Sequence, residues 1–588
     1  MATGPAGGSQ TGPLGLGAAP RLTRRLTRRL GELAQLPAER VFAALGYTLK
    51  RPVFALPFYR LSLPGLTATT LAVTPNDPWP GRAEAGAAII GGRFVFAGQA
   101  LQDPAPLWAP PGASPEWLSA LHGFGWMRDL RAAGGDAARR RARELTGSWL
   151  RAHETWCPAA WAPLACGQRL ANWLGCFEFF AASADIAFRH RLLIGIGQQA
   201  QHLHRTLPAG LGGAELIAAI KGLVYAGTAL PGGQAWRGRG LELLRQELPR
   251  QILPDGGHVE RNPARHMAVL RDLIDVRGLL SRTRTAEDPA GVPEDLVAAI
   301  EAMAPILRMF QHGDGGLALF NGAQADEGLQ VDLVLQRAGG SRRPMDAAPE
   351  TGYQRLSAGR TLVLVDAGAP PPRGLDRHAH AGALSLEVSA GRERLIVNCG
   401  ARPEDATWHT AQRSSAAHST LVLGDTNSAP VLAGGLGRPA RIVHCRREED
   451  DGRVLLDLAH DGYLRGFGVL HRRRLMLSAD GTDLRGEDRL EPRPHRVPKT
   501  GPFAVRFHLH LGVSASLAQG GDSVLLRPPK GDGWLFQAAG AVVSLEPSIY
   551  LGQAEEIRRS QQVVLGAVLG PDGARVKWAL RRVPSKRG

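Results

Sequence analysis

The sequence predicts an α+β chain of two large domains: an all-helical N-terminal domain of the incomplete (α/α) toroid type, then a C-terminal antiparallel β-sandwich. Three observations carry this. At 588 residues the chain exceeds one ordinary domain. Up to about residue 320 the apolar residues recur at helical spacing, and after about 330 they alternate with period two. Links in the first half are short and bear Gly or Pro, whereas Gly and Asp turns follow one another closely in the second.

Taken in order, residues 1–40 form a basic segment, opening with a Gly-, Ala- and Pro-rich stretch, that is expected to be disordered. The helical domain is placed at 41–320. It begins with Ala87–Gly98, read as a short hairpin. Eight amphipathic helices then follow, over 117–133, 136–153, 163–182, 186–207, 215–230, 235–252, 263–282 and 293–311. Helix pairs of this length without a sequence repeat favour a toroid over a solenoid. The sandwich is placed at 330–588, with strands over 361–366, 383–388, 394–398, 419–423, 454–458, 469–477 and 504–511.

Composition narrows the function. The hydrophobic fraction is 44%, enough for a core in each domain, and no apolar run reaches the length of a membrane span. The basic run Arg21–Arg29 leads into Gly31-Glu32-Leu33 and not into an apolar stretch, so the chain reads as cytoplasmic by default. Net charge is +16, and only six of the 70 basic residues are lysine. Arginine's planar fork suits carboxylate and sulfate; a GC-rich genome would produce the same bias. Zinc-finger spacing and RNP aromatics are absent, which argues against nucleic acid. Five cysteines without a CxxC read as free thiols.

Two segments concentrate ionisable groups. Leu375-Asp-Arg-His-Ala-His-Ala-Gly382 places His378 and His380 two apart, on one face of an extended chain. The pair suits acid–base work or a metal; two loop histidines is the simpler alternative. His258, Glu260, Arg261, Asn262, Arg265 and His266 crowd a loop and helix start, which favours an anion. Asn262 followed by Pro263 has the form of a helix cap, which accounts for both without function. Arg169 and Asn172, one turn apart, are candidates for a cleft wall or a surface face. Arg506, His508 and His510 alternate onto one strand face, as a metal-capable row or a polar ladder. Tyr353 and Tyr463 are possible proton donors or packing residues.

Around these segments the chain resembles the heparinase II/III-like polysaccharide lyases, from about residue 85 to about 580. The motifs are HAHAGALSLEV, IVNCG and AHSTLVL in that order, with weaker matches at Arg169–Leu174, Lys221–Gly227 and Pro254–Pro263. The resemblance implies β-elimination on an acidic, uronate-containing polysaccharide or oligosaccharide. In that reaction a group neutralises the uronate carboxylate, a base takes the C5 proton and an acid protonates the leaving oxygen. It implies that His378 faces substrate. If the Asp255–His266 segment meets the His378 loop across a cleft, Arg265 and His266 join His378 as catalytic candidates, and Asn262, Arg377, Arg169 and Asn172 are the candidates to bind substrate. The resemblance also implies one structural zinc on His380, His418 and Asn398, and a periplasmic or cell-envelope setting. Three departures stand out. Asn398 replaces an aspartate, Arg265 replaces the family's tyrosine base, and Ala214-Glu215 stands near where an Asn-His pair belongs. A glycan-binding or envelope protein that has lost the base is therefore the competing expectation, with a metal-dependent hydrolase on His378, His380 and His418 a third.

Overall fold

The computed structural model describes residues 38–584 apart from 64–68, 284–290, 325–327, 341–342, 403–407, 519 and 553–556. The disorder expected over residues 1–40 lies outside the described residues up to 37; from Ala38 to Phe54 the chain is helical.

The first half is helical, as its apolar spacing requires. Long helices run over Gly135–Ala152, Pro163–Gly175, Ile186–Thr206, Gly213–Ala229, Gln234–Gln251, Pro263–Arg282 and Glu294–Met309. Local chemistry starts several of them: Asp185 accepts from the Phe188 amide, and Ser114 from that of Trp117. The helices Pro163–Gly175 and Gly213–Ala229 approach closely because Gly167 and Gly222 face each other. A Cβ on Gly222 would lie 2.1 Å from the Gly167 carbonyl oxygen.

Three expectations need correction. The helix expected over 117–133 is two, Pro115–Gly123 and Met127–Ala133, because Phe124 adopts a left-handed backbone (φ 57°). Ala87–Ile90 completes a helix from Ala83, so the hairpin begins later, pairing Arg93–Phe96 with Gln99–Gln102. A further helix, Gly328–Ala338, follows residue 320 and buries Val331, Val334, Leu335 and Ala338.

From Ala347 the regular structure is almost all antiparallel strand, joined by long irregular stretches such as 367–385. One nine-stranded sheet contains, in order, 542–550, 558–569, 501–509, 393–397, 386–390, 361–366, 353–358 and 347–348, with 421–423 also paired to 501–509. An eight-stranded sheet runs 442–450, 453–460, 469–477, 483–492, 574–583, 533–539, 523–527 and 514–517. Apolar side chains from both fill the space between them, including Phe507, Phe536 and Trp578. The helical core continues into the first sheet through Ala348, Tyr353, Leu362 and Leu364, so the two domains share a buried seam. Among the described residues no helix is long and apolar enough to cross a membrane.

Candidate functional site

A cleft of about 970 Å³ opens in the helical domain. Its walls are helix faces, and the spacing shows why. Arg265, Ala268, Arg271, Asp272 and Asp275 recur at three- and four-residue intervals on the Pro263–Arg282 helix. Leu164, Gln168, Ala171 and Asn172 do the same on Pro163–Gly175, as do Ala214, Ala218 and Lys221 on Gly213–Ala229. The 93–102 hairpin closes one side with Arg93, Val95 and Phe96.

The cleft is polar and mixed in charge: Arg82, Arg93, Arg128, Lys221, Arg265 and Arg271 face Glu84, Asp129, Glu215, Asp272 and Asp275. Several of the cations are already held. Lys221 binds Asp272 at 3.0 Å and Asp275 at 2.5 Å, and Arg128 binds the buried carboxylate of Asp77 at 2.5 Å. Burial and the neighbouring Arg128 push the Arg271 guanidinium down, and it stacks on Trp79 at 4.7 Å. Arg93 is exposed and Arg265 half-buried. Glu215 places a carboxyl group near the position where the resemblance calls for an Asn-His pair.

The Asp255–His266 segment does two jobs, and most of it is seam. The Asp255 carboxylate accepts from the Thr351 amide at 2.7 Å and from its hydroxyl at 2.6 Å. Glu260 accepts from the Ala214 amide at 2.7 Å, at the start of the Gly213–Ala229 helix. Arg261 pairs with Asp366 at 2.5 Å, donates to the Thr351 and Gly352 carbonyls and lies 4.8 Å from the Tyr353 ring. Asn262 caps the Pro263–Arg282 helix by accepting from the Arg265 amide at 3.0 Å, and donates to the Asn321 carbonyl at 2.7 Å. His266 donates from Nε2 to the Met303 carbonyl at 2.9 Å and accepts at Nδ1 from the His258 amide at 3.3 Å. Both ring nitrogens are engaged and the ring is 1% exposed. Burial pushes His266 down to about 3, so it is a neutral core residue and not a base at the cleft. Asn262 likewise has its oxygen and nitrogen committed inside the fold. Arg265 alone of this cluster lines the cleft.

Across the seam, the His378 loop meets this wall at Gly322. A Cβ there, where φ is 86°, would sit 3.1 Å from the His378 carbonyl oxygen and 3.5 Å from both Asn262 Nδ2 and His380 Nε2. His378 itself is half-buried. Burial first, then Arg265, Arg377, His409 and Arg413, push it down to about 3. The Arg265 and His378 side chains are thus electrostatic neighbours from opposite domains. His409, whose ring centroid is 6.3 Å away, also belongs to the sandwich. Arg377 is exposed and reaches Glu116 at 3.7 Å.

Of the residues assigned to zinc, His380 and His418 are hydrogen-bonded to each other, and Asn398 is bonded to other neighbours. His418 Nδ1 donates to the Ser414 carbonyl at 2.7 Å, leaving Nε2 to accept from His380 Nδ1 at 2.9 Å. Asn398 Nδ2 donates to Glu387 at 3.1 Å while its Oδ1 accepts from the Ser419 amide at 3.0 Å. Among the described residues no group of three or more His, Cys, Asp and Glu is placed to hold a metal ion. As a third ligand Asn398 would offer zinc only a neutral amide oxygen, which already accepts from Ser419.

The remaining candidates separate. Asn172 lines the cleft, fixed by donating to the Gly123 carbonyl at 2.8 Å. Arg169 does not: it is 0% exposed, donates to Gln199 and to the His122 carbonyl, both at 2.7 Å, and stacks on Trp149 at 3.9 Å. It is a core residue, belonging neither to the cleft wall nor to the surface. His508 bonds Ser548 at 2.7 Å and the Ala416 carbonyl at 3.0 Å, and Arg506 bonds Gln562 at 3.2 Å, as in a polar ladder. None of the six tyrosines of the chain lines the cleft. Tyr353 donates to the Arg261 carbonyl and Tyr463 to that of Leu421.

Comparison with known proteins agrees with this architecture. Residues 149–336 match the family profile "Heparinase II/III N-terminus" and residues 340–579 match "Heparinase II/III-like, C-terminal". A Caulobacter vibrioides protein, FtsZ-localized protein C, is 33% identical over 540 residues, covering 87% of this chain and 90% of that one. A heparin-sulfate lyase of Bacteroides thetaiotaomicron is 22% identical over 225 residues, 35% of this chain and 30% of that one. Among solved structures, heparinase III superposes with a TM-score of 0.69 at 15% identity, covering 94% of this chain and 92% of that one. The heparan sulfate lyase HepC mutant of Pedobacter heparinus gives 0.60 at 16% identity, covering 94% and 91%. A helical domain, a sandwich, a cleft beside their seam and matches to both family profiles lead to one conclusion: the chain belongs to the heparinase II/III-like family.

Proposed function

We infer that the chain binds an acidic, uronate-type saccharide in the helical cleft and does not cleave it by β-elimination. The observation that carries this reading is the missing base. No tyrosine lines the cleft. Both nitrogens of His266 are spent. His378, pushed down to about 3, is unprotonated at neutral pH but a weak base for a carbon acid. Glu215 at the cleft wall adds a charge that opposes a uronate carboxylate. What remains are cation wall positions, chiefly Arg265 and Arg93, suited to holding carboxylate or sulfate. The relative named for localizing with FtsZ supports co-localization with FtsZ for this chain.

The second reading is a uronate lyase. It is favoured by the family and by the electrostatic influence of Arg265 on His378, a proton acceptor near enough to feel a carboxylate-neutralising group. One screen separates the two. Purified chain is incubated with acidic glycans while binding and the absorbance of unsaturated uronate ends are followed together. Binding without absorbance is expected. A steady rise in absorbance that His378→Ala abolishes would establish the lyase instead, and absence of binding to any acidic glycan would remove both readings.

A further inference from the structure

The helix Ala38–Phe54 and the turn after it carry an apolar row that is exposed among the described residues. Phe42, Leu45, Leu49 and Val53 follow at spacings of three, four and four residues, and so share one face. They are 72%, 46%, 69% and 55% exposed, and Leu56, Phe58 and Leu61 extend the row at 53%, 73% and 81%. The other face is anchored: Phe54, Tyr59 and Leu63 are buried, and the Tyr59 hydroxyl bonds His202 at 2.7 Å. The row is therefore held outward on a fixed support. Among the described residues no other helix or turn carries as many exposed large apolar side chains.

Charge says which partner fits. Residues 21–60 contain nine basic side chains and two acidic ones. Of the acidic pair, Glu39 is bound by Arg250 at 3.4 Å. Lys50 is exposed beside the row. In the sequence just ahead, leucines at 22, 26, 30 and 33 alternate with five arginines. An apolar ridge bordered by cations matches the interface of an anionic bilayer, where side chains enter the acyl boundary and basic groups meet lipid phosphates. A protein groove would have to supply acidic and apolar surface together.

We propose that the outward row of the Ala38–Phe54 helix docks this chain onto an anionic lipid surface as a peripheral contact. The test is flotation of the full chain with vesicles of phosphatidylcholine alone and of phosphatidylcholine mixed with phosphatidylglycerol. The parent should float with the anionic vesicles, release as salt is raised, and bind the neutral ones far less. The triple variant Phe42→Glu, Leu49→Glu, Phe58→Glu alters only exposed side chains. It should lose binding by roughly tenfold or more with an unchanged melting curve. Lys50→Glu should weaken binding less. The proposal is overturned if the parent ignores anionic vesicles or if the triple variant binds as well as the parent. It is equally overturned if light scattering shows a parent dimer that the triple variant breaks without vesicles playing any part, since the row would then be a contact between copies.

Discussion

The seam and the cleft wall are made of the same residue types, from the same short segment, and they do opposite work. Arg261 and Arg265 are four residues apart. The first has its guanidinium held by Asp366 and two carbonyls; the second lines an open cleft. His266 and His378 divide in the same way: one ring is closed off by Met303 and His258, the other half-buried beside Arg265. The contrast teaches that a cluster of ionisable residues is not a site by composition. Function is left to the members whose hydrogen-bonding capacity the fold has not used.

The largest expected effect lies in the seam. Arg261→Ala leaves Asp366 buried without its partner, and should cost about 3–5 kcal/mol of unfolding free energy, read by chemical denaturation. A loss as small as that of an exposed arginine would break the comparison. Next is acid. His258 and His266 are held at about 3, well below their ordinary 6.5, so the unfolded chain takes up protons first. Their contribution is complete above 6.5 and is lost as pH falls towards 3. Each should cost ~1.4 kcal/mol per pH unit in that window, so melting temperature should fall steeply below neutrality. A flat profile from pH 6.5 to 5 would contradict their assignment as neutral core groups. Arg265→Ala, on the cleft wall, should change stability by no more than about 0.5 kcal/mol while weakening acidic oligosaccharides in calorimetric titration. The smallest effect concerns metal: adding a zinc chelator should leave the melting temperature unchanged, because His380 and His418 bond each other while Asn398 bonds Glu387 and Ser419.

The helical half and its order were readable because long apolar periodicity is local. So was the Asn262 cap, which needs only the Asn-Pro step and the amide three residues on. The exceptions are tertiary. Arg169 looked like a cleft or surface residue because its partners, His122 and Trp149, lie 47 and 20 positions away. His266 looked like a base because nothing local announces the Met303 carbonyl. Much of the eight-stranded sheet was missed, since strands such as Asp483–Pro492 (DLRGEDRLEP) alternate charge with few apolar residues. The cleft residues Arg93, Arg271 and Lys221 were missed too. A signal existed: polar residues break the apolar helix faces at three- and four-residue spacing, as at Arg271, Asp272 and Asp275.

The division of labour between seam and cleft is tested most directly by one thermal-shift measurement, made on the parent and on Arg265→Ala with and without an acidic uronate oligosaccharide. The parent should melt higher with the ligand, whereas Arg265→Ala should melt at the parent's ligand-free temperature and show little or no shift. An Arg265→Ala protein that melts several degrees lower, or that is stabilised by the ligand as much as the parent, would contradict the account.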